Sequence, residues 1–275
     1  MSAQDTPFPA GWPRQIRAGR TDGSLAAYGW CHQCGDFHHL PFGDAEREAG
    51  RLLDRLERQG SIGLPGSLAA TDPRCSTTPL FGKERGKMFG VLECLAADAS
   101  RHWLFAFSGQ FNGRWLVPGW VPPLFDVDAF QALVTPVERR IKELGRLMAD
   151  HPRTGERHRV LRRQRKQLSR HLMAAIHKLY RLTNFRGQQG GLEEACRTRT
   201  TMPTGMGDCC APKLLAHAAT LDLAPISLAE FYFGRENRSK NRQHGCFYPP
   251  CHDKCQPLLG FLLCGADQKR AAYGR

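Results

Sequence analysis

The chain has 275 residues, with 39 Lys and Arg against 26 Asp and Glu, a formal charge of +13. An apolar content of 41% excludes a disordered chain and supports one large or two modest domains with a substantial core. There is no run of about eighteen apolar residues. The opening MSAQDTPFPAGWPRQ lacks the apolar stretch of a signal peptide, so a soluble, cytoplasmic protein without a membrane partner is expected. In that reducing compartment 11 cysteines point to metal binding or catalysis rather than to disulfides. The basic balance points to a polyanionic partner, with nucleic acid the first candidate.

Residues 1–80 are expected to form an N-terminal cysteine segment with a short helix and a loop. The string CHQCGDFHHL pairs Cys31 and Cys34 in a C-x2-C, with His38 and His39 following. Cys31, Cys34 and His39 are candidate ligands of a second zinc, which Cys75 would complete; the alternative is ordinary loop cysteines. DAEREAGRLLDRLERQG predicts a helix capped by Asp44, with Ala45, Leu52, Leu53 and Leu56 as its apolar stripe. The Gly-, Pro- and Ser-rich passage after it predicts loop.

KMFGVLECLAA and HWLFAFSGQF are rich in β-branched and aromatic residues, and the break DASR between them predicts a hairpin. Asn112-Gly113 marks a further turn. From Thr135 to Thr183 the period becomes helical, with one stripe at Val137, Ile141, Leu144 and Met148 and another at Leu161, Leu168, Leu172, Ile176 and Leu179. The break HPRTG makes the pair an αα-hairpin, an insertion at 136–186. Its outer face carries Arg159, Arg162, Arg163, Arg165, Lys166 and Arg170, with Glu156 the lone acid of that stretch. Such a face is either merely solvated or an RNA contact surface; a merely soluble helix mixes signs, which favours contact. Trp30, Phe37, Trp103, Trp115 and Trp120 are able to stack on bases, although core packing is the commoner use.

The last segment predicts helix, strand, cysteine loop and helix. CCAPKLLAHAATL places Pro212 in a first helical turn, PISLAEFYFG is a buried strand, and QPLLGFLLCG is a helix starting near Pro257. Cys209 or Cys210 stands at a helix entrance, where backbone N–H groups favour a thiolate. Cys251 and Cys255 form a C-x3-C, with His244 and Cys246 near by in sequence. Cys209, Cys246, Cys251 and Cys255, with His244 as an alternate, are therefore candidate ligands for Zn2+; the alternative is that these cysteines pack as small hydrophobes.

This order resembles the cytidine-deaminase superfamily, in which a hairpin precedes a helix with a first zinc ligand, then a strand, then a helix opening with Pro-Cys and a second Cys. The resemblance implies an α/β fold over 81–135 and 187–267, a deaminase-like sheet with flanking helices, the basic hairpin inserted and 268–275 as a tail. The family places its catalytic Glu two residues after the first ligand, where this chain has Ala211 or Pro212. Asp208 and Glu230 are the nearest acids and thus the catalytic candidates.

From Gly86 onward the strings FAFSGQFNGRWLVPGWVPPLFD, PTGMGDCCAPKLL and QHGCFYPPCHDKC are also similar to the extension preceding the catalytic domain of some bacterial RNA pseudouridine synthases of the large ribosomal-subunit and tRNA class. That resemblance implies an RNA-binding or targeting module acting on rRNA or tRNA, beside a separate synthase. The synthase's Arg-Leu-Asp setting is absent: the nearest string is RLTN at Arg181. The reading from sequence is an RNA-modification-associated protein with a zinc site, or alternatively a zinc-dependent deaminase of a base, nucleoside or RNA.

Overall fold

The computed structural model describes residues 25–64, 68–196 and 202–274. The first elements are an antiparallel hairpin, β1 (Leu25–Cys31) and β2 (Asp36–Pro41), followed by α1 (Gly43–Gln59). Asp44 does not cap this helix: its carboxylate pairs with Arg101 at 2.8 Å, and Ser227 Oγ accepts from the Ala45 N–H at 3.0 Å instead. The capping group therefore comes from a strand 182 residues away, which no local pattern reveals. Ala45, Ala49, Leu52 and Leu56 form the buried stripe. Three short 3-10 turns, Leu68–Ala70, Pro73–Cys75 and Thr78–Phe81, shape the loop that follows.

β3 (Lys87–Leu95) and β4 (Arg101–Phe107) form the expected hairpin. α2 (Val127–Ala149) and α3 (Glu156–His177) form the expected helical pair. α2 begins eight residues before Thr135, because Asp126 caps it, its carboxylate accepting from the Ala129 N–H at 2.7 Å; Pro136 lies inside the helix. A minimal hairpin, β5 (Leu182–Thr183) and β6 (Gln189–Gly190), leads to α4 (Leu192–Ala195). Then come α5 (Cys210–Thr220), β7 (Ala224–Phe233), α6 (Gln256–Leu262) and α7 (Ala266–Tyr273). The expected C-terminal tail is thus mostly helix, packed on β7 and tied to Asp222 by Lys269 and Tyr273.

The central sheet is antiparallel with order β4-β3-β7. Alternation along β3 sends Phe89, Val91 and Glu93 to one face and Gly90, Leu92 and Cys94 to the other. The first face is aromatic: Phe89 packs against Phe231 at 5.8 Å and Trp120 at 5.5 Å, and Trp120 Nε1–H donates to the Ile62 carbonyl at 2.8 Å. α1 covers this face, where buried Glu93 accepts from Ser227 and pairs with Arg101. The second face carries α5. The N-terminal hairpin packs on α6 and β7, and its buried residues Ala26, Ala27 and Leu40 belong to the same core cluster as the central sheet. Among the described residues no helix is long and apolar enough to cross a membrane.

Candidate metal centre and basic face

Small residues set the depth at which α5 meets the sheet. Gly90 stands opposite Ala106 on one side and Glu230 on the other. A Cβ on Gly90 would lie 2.6 Å from the Cys210 Cβ, so only glycine lets the helix N-terminus descend this far. Cys210 is buried in that depression, its thiol donating to the Met88 carbonyl at 3.3 Å. Of the adjacent pair, Cys209 is therefore the one available as a ligand.

The second half of the centre is hung on the edge of β7. After the strand the chain turns and pairs back: the Tyr232 N–H donates to the Cys246 carbonyl and the Tyr248 N–H to the Glu230 carbonyl, both at 2.9 Å. The two prolines lead on to a turn closed by the Cys255 N–H on the Cys251 carbonyl at 3.1 Å. Cys251 Sγ then lies 3.8 Å from Cys209 Sγ and 3.3 Å from Cys255 Sγ, and the three sulfurs fall within 4.8 Å of one another. Cys209 and Cys255 occupy the N-caps of α5 and α6. The neighbouring thiols lower the pKa of Cys251; contact with Cys251 raises that of Cys209, and burial, with the adjoining sulfurs, raises that of Cys255. Three thiols this close together are a donor set that a metal ion would deprotonate on binding.

Glu230 lies beside this trio, fully buried on β7. Its carboxylate accepts from the Ala211 N–H at 2.6 Å, two residues beyond Cys209. Burial raises its pKa to about 8; the Ala211 N–H pulls the other way, and the charge on Cys251 adds to the rise.

The other predicted residues fall elsewhere. Cys246 and His244 do not join the trio: the backbone of Cys246 is fixed to Tyr232, and the His244 ring is held between the Gly234 N–H at 3.1 Å and Glu57 at 3.0 Å. Asp208 Oδ1 accepts from the Tyr180 hydroxyl at 2.7 Å, and burial raises its pKa. The N-terminal cysteines do assemble, but with different partners: Cys31, Cys34, His38 and Cys264 bring their ligand atoms together. His38, not His39, faces inward, because side chains alternate along β2 and His38 shares the buried face with Leu40. That alternation in DFHHLP was the overlooked signal for His38. Cys75 is buried apart from the group, its carbonyl accepting from the Ile62 N–H, and Cys264 comes from the far end of the chain. Among the described residues two groups can therefore hold a metal ion.

Arg159, Arg162, Arg163, Arg165, Lys166 and Arg170 are all exposed on α3. Among the described residues none of them has a carboxylate in ion-pair contact. Arg162, Arg165, Lys166 and Arg170 line a groove of about 680 Å³ with Met173 and Met202 beside them. The loop carrying Met202 continues past Gly207, which sits against the Tyr180 ring, to Asp208 and Cys209. Groove and cysteine trio are thus joined by seven residues of chain, Met202 to Asp208. Trp115 and Trp120 are core residues, and Trp30 packs edge-on against Phe37 at 5.0 Å.

No family model, curated protein or solved structure matches this chain.

Proposed function

We propose that this protein is an RNA-binding module of RNA modification, acting on rRNA or tRNA beside a separate pseudouridine synthase, with zinc at Cys209, Cys251 and Cys255. The observation that carries the reading is the face of α3: exposed arginines, without carboxylate partners among the described residues, border a groove with an apolar lining. Guanidinium groups bind phosphate oxygens in forked geometry, and methionine accommodates the flat faces of bases. The similarity to the synthase extension supports the same direction. Photocrosslinking of the protein to ribosomal and transfer RNA, followed by peptide mass spectrometry, tests it. Crosslinks should fall on α3 and around Met202; crosslinks confined to other surfaces would refute the assignment.

A second reading, a zinc-dependent deaminase, is favoured by Glu230. Three cysteines leave one coordination position open, where zinc supplies Lewis acidity. Resemblance to deaminases calls for a carboxylate on the helix two residues past the first ligand; Glu230 brings one from the neighbouring strand to the backbone N–H of that residue. With a pKa of about 8 it is able to hold and release a proton near neutral pH. Incubation with nucleosides and total RNA decides between the readings: uridine or inosine gain that disappears in Glu230→Gln makes this an enzyme, and no gain leaves the binding module.

A further inference from the structure

We propose that Cys31, Cys34, His38 and Cys264 form a closed, structural zinc centre that fastens the N-terminal hairpin to the C-terminal helices. Tetrahedral zinc with Cys and His ligands at about 2.0–2.3 Å requires donor atoms about 3.3–3.8 Å apart. His38 Nε2 lies 3.1 Å from Cys34 Sγ, Cys34 Sγ lies 3.8 Å from Cys264 Sγ, and all four donor atoms fall within 4.8 Å of one another. Four protein ligands complete the coordination shell and leave no position for substrate, so this centre holds structure rather than performing chemistry. A disulfide between two of the cysteines would give the inward-facing imidazole no role.

The far side of that imidazole supports the assignment. His38 Nδ1 is buried and has no hydrogen-bond partner among the described residues, yet Asp267 Oδ2 stands 3.8 Å away, and Arg270 pairs with Asp267 from the next turn of α7. A metal-bound histidine commonly directs its second nitrogen to a carboxylate, which fixes the tautomer and raises ligand basicity. Asp267 is that outer partner.

The centre also governs how α6 sits. Gly29 of β1 and Gly260 of α6 meet backbone to backbone: a Cβ on Gly260 would lie 1.9 Å from the Trp30 carbonyl oxygen. Cys31 follows that contact on the strand, and Cys264 follows it on the helix side. Cys255, at the other end of α6, belongs to the three-cysteine group. The seven-residue α6 is therefore flanked by a ligand of each centre, Cys255 at its N-cap and Cys264 just beyond its C-cap. Emptying the four-ligand centre frees one end of α6 and weakens metal binding at the other.

This inference does not depend on RNA binding or catalysis, and zinc itself is the probe. Protein loaded with zinc and passed through a desalting column should carry two ions per chain, Cys251→Ser one, and Cys264→Ser at most one with a lowered melting temperature. In a Cys251→Ser background, cobalt(II) should give the charge-transfer bands of three thiolates and one imidazole, and His38→Cys should shift them toward a four-thiolate spectrum. Asp267→Asn, which leaves all four ligands in place, should release zinc to a chelator about 10–100-fold more readily. Cys251→Ser without zinc, or Cys264→Ser with the wild-type count and melting temperature, would overturn the assignment. Should Cys264→Ser fail to fold, an unshifted cobalt spectrum in His38→Cys would overturn it as well.

Discussion

Gly90 and Glu230 face each other across two strands, and the metal trio depends on both in different ways. Glycine at 90 sets the height of α5, and the carboxylate at 230 bonds its second residue. Gly90→Ala places a methyl group against the Cys210 Cβ, which is backbone-attached and unable to swing aside. The expected loss is about 1–3 kcal/mol in denaturant unfolding, as for other overpacked sites, accompanied by a lowered zinc content. Unchanged stability and zinc would show that α5 has room to move. A different residue, Asp72, controls the loop before β3. Its carboxylate accepts from the Arg74 side chain and backbone and contacts Arg114, which holds its pKa down to about 2. A depressed folded pKa means that the stabilisation is complete above about pH 4 and fades as pH falls through about 2. Stability curves of wild type and Asp72→Asn should therefore lie apart at neutral pH and converge in acid; a constant gap would contradict this. Cys251 and Cys255 were legible as a ligand pair because they are four residues apart. Cys264 was not, because its partners lie some 230 positions away and only the packing of β1 on α6 unites them.

Among the elements, the helical hairpin differs from the rest in how little holds it. Leu144, Leu161 and Leu172 are buried between or beneath its helices, whereas nearly every residue in the first eight of α5 is buried. Leu161→Ala should remove about 2–5 kcal/mol of local packing. Hydrogen exchange should then accelerate in α2 and α3 while the central sheet keeps its protection. Acceleration spreading equally through β3 and β7 would show the hairpin to be part of a single cooperative unit. The helical period and the break at HPRTG announced this pair, and the β-branched and aromatic runs announced the sheet. The start of α2 escaped because Leu124 and Phe125 continue the apolar run of the preceding loop, masking the Asp126 cap. The cap on α1 escaped for the opposite reason: Asp44 is a good local candidate, but Arg101 claims its carboxylate and Ser227 supplies the acceptor.

At the scale of the whole molecule, a run of exposed basic residues on α3 stands out in a chain of formal charge +13. The α3 arginines border a groove, and seven residues of loop lead from it to the cysteine trio. The proposed binding of RNA through that face would release counterions in proportion to the phosphates neutralised, so salt dependence reads its contribution better than affinity alone. The most direct measurement is the slope of log affinity against log salt for structured rRNA or tRNA fragments, compared between wild type and the variant Arg162→Glu, Arg163→Glu, Arg165→Glu. Steep salt dependence is expected in the wild type and a slope shallower by roughly 2–3 in the variant, at about 0.7–0.9 for each lost contact, with the fold and zinc content unchanged. Equal slopes and equal affinities in the two proteins would contradict it.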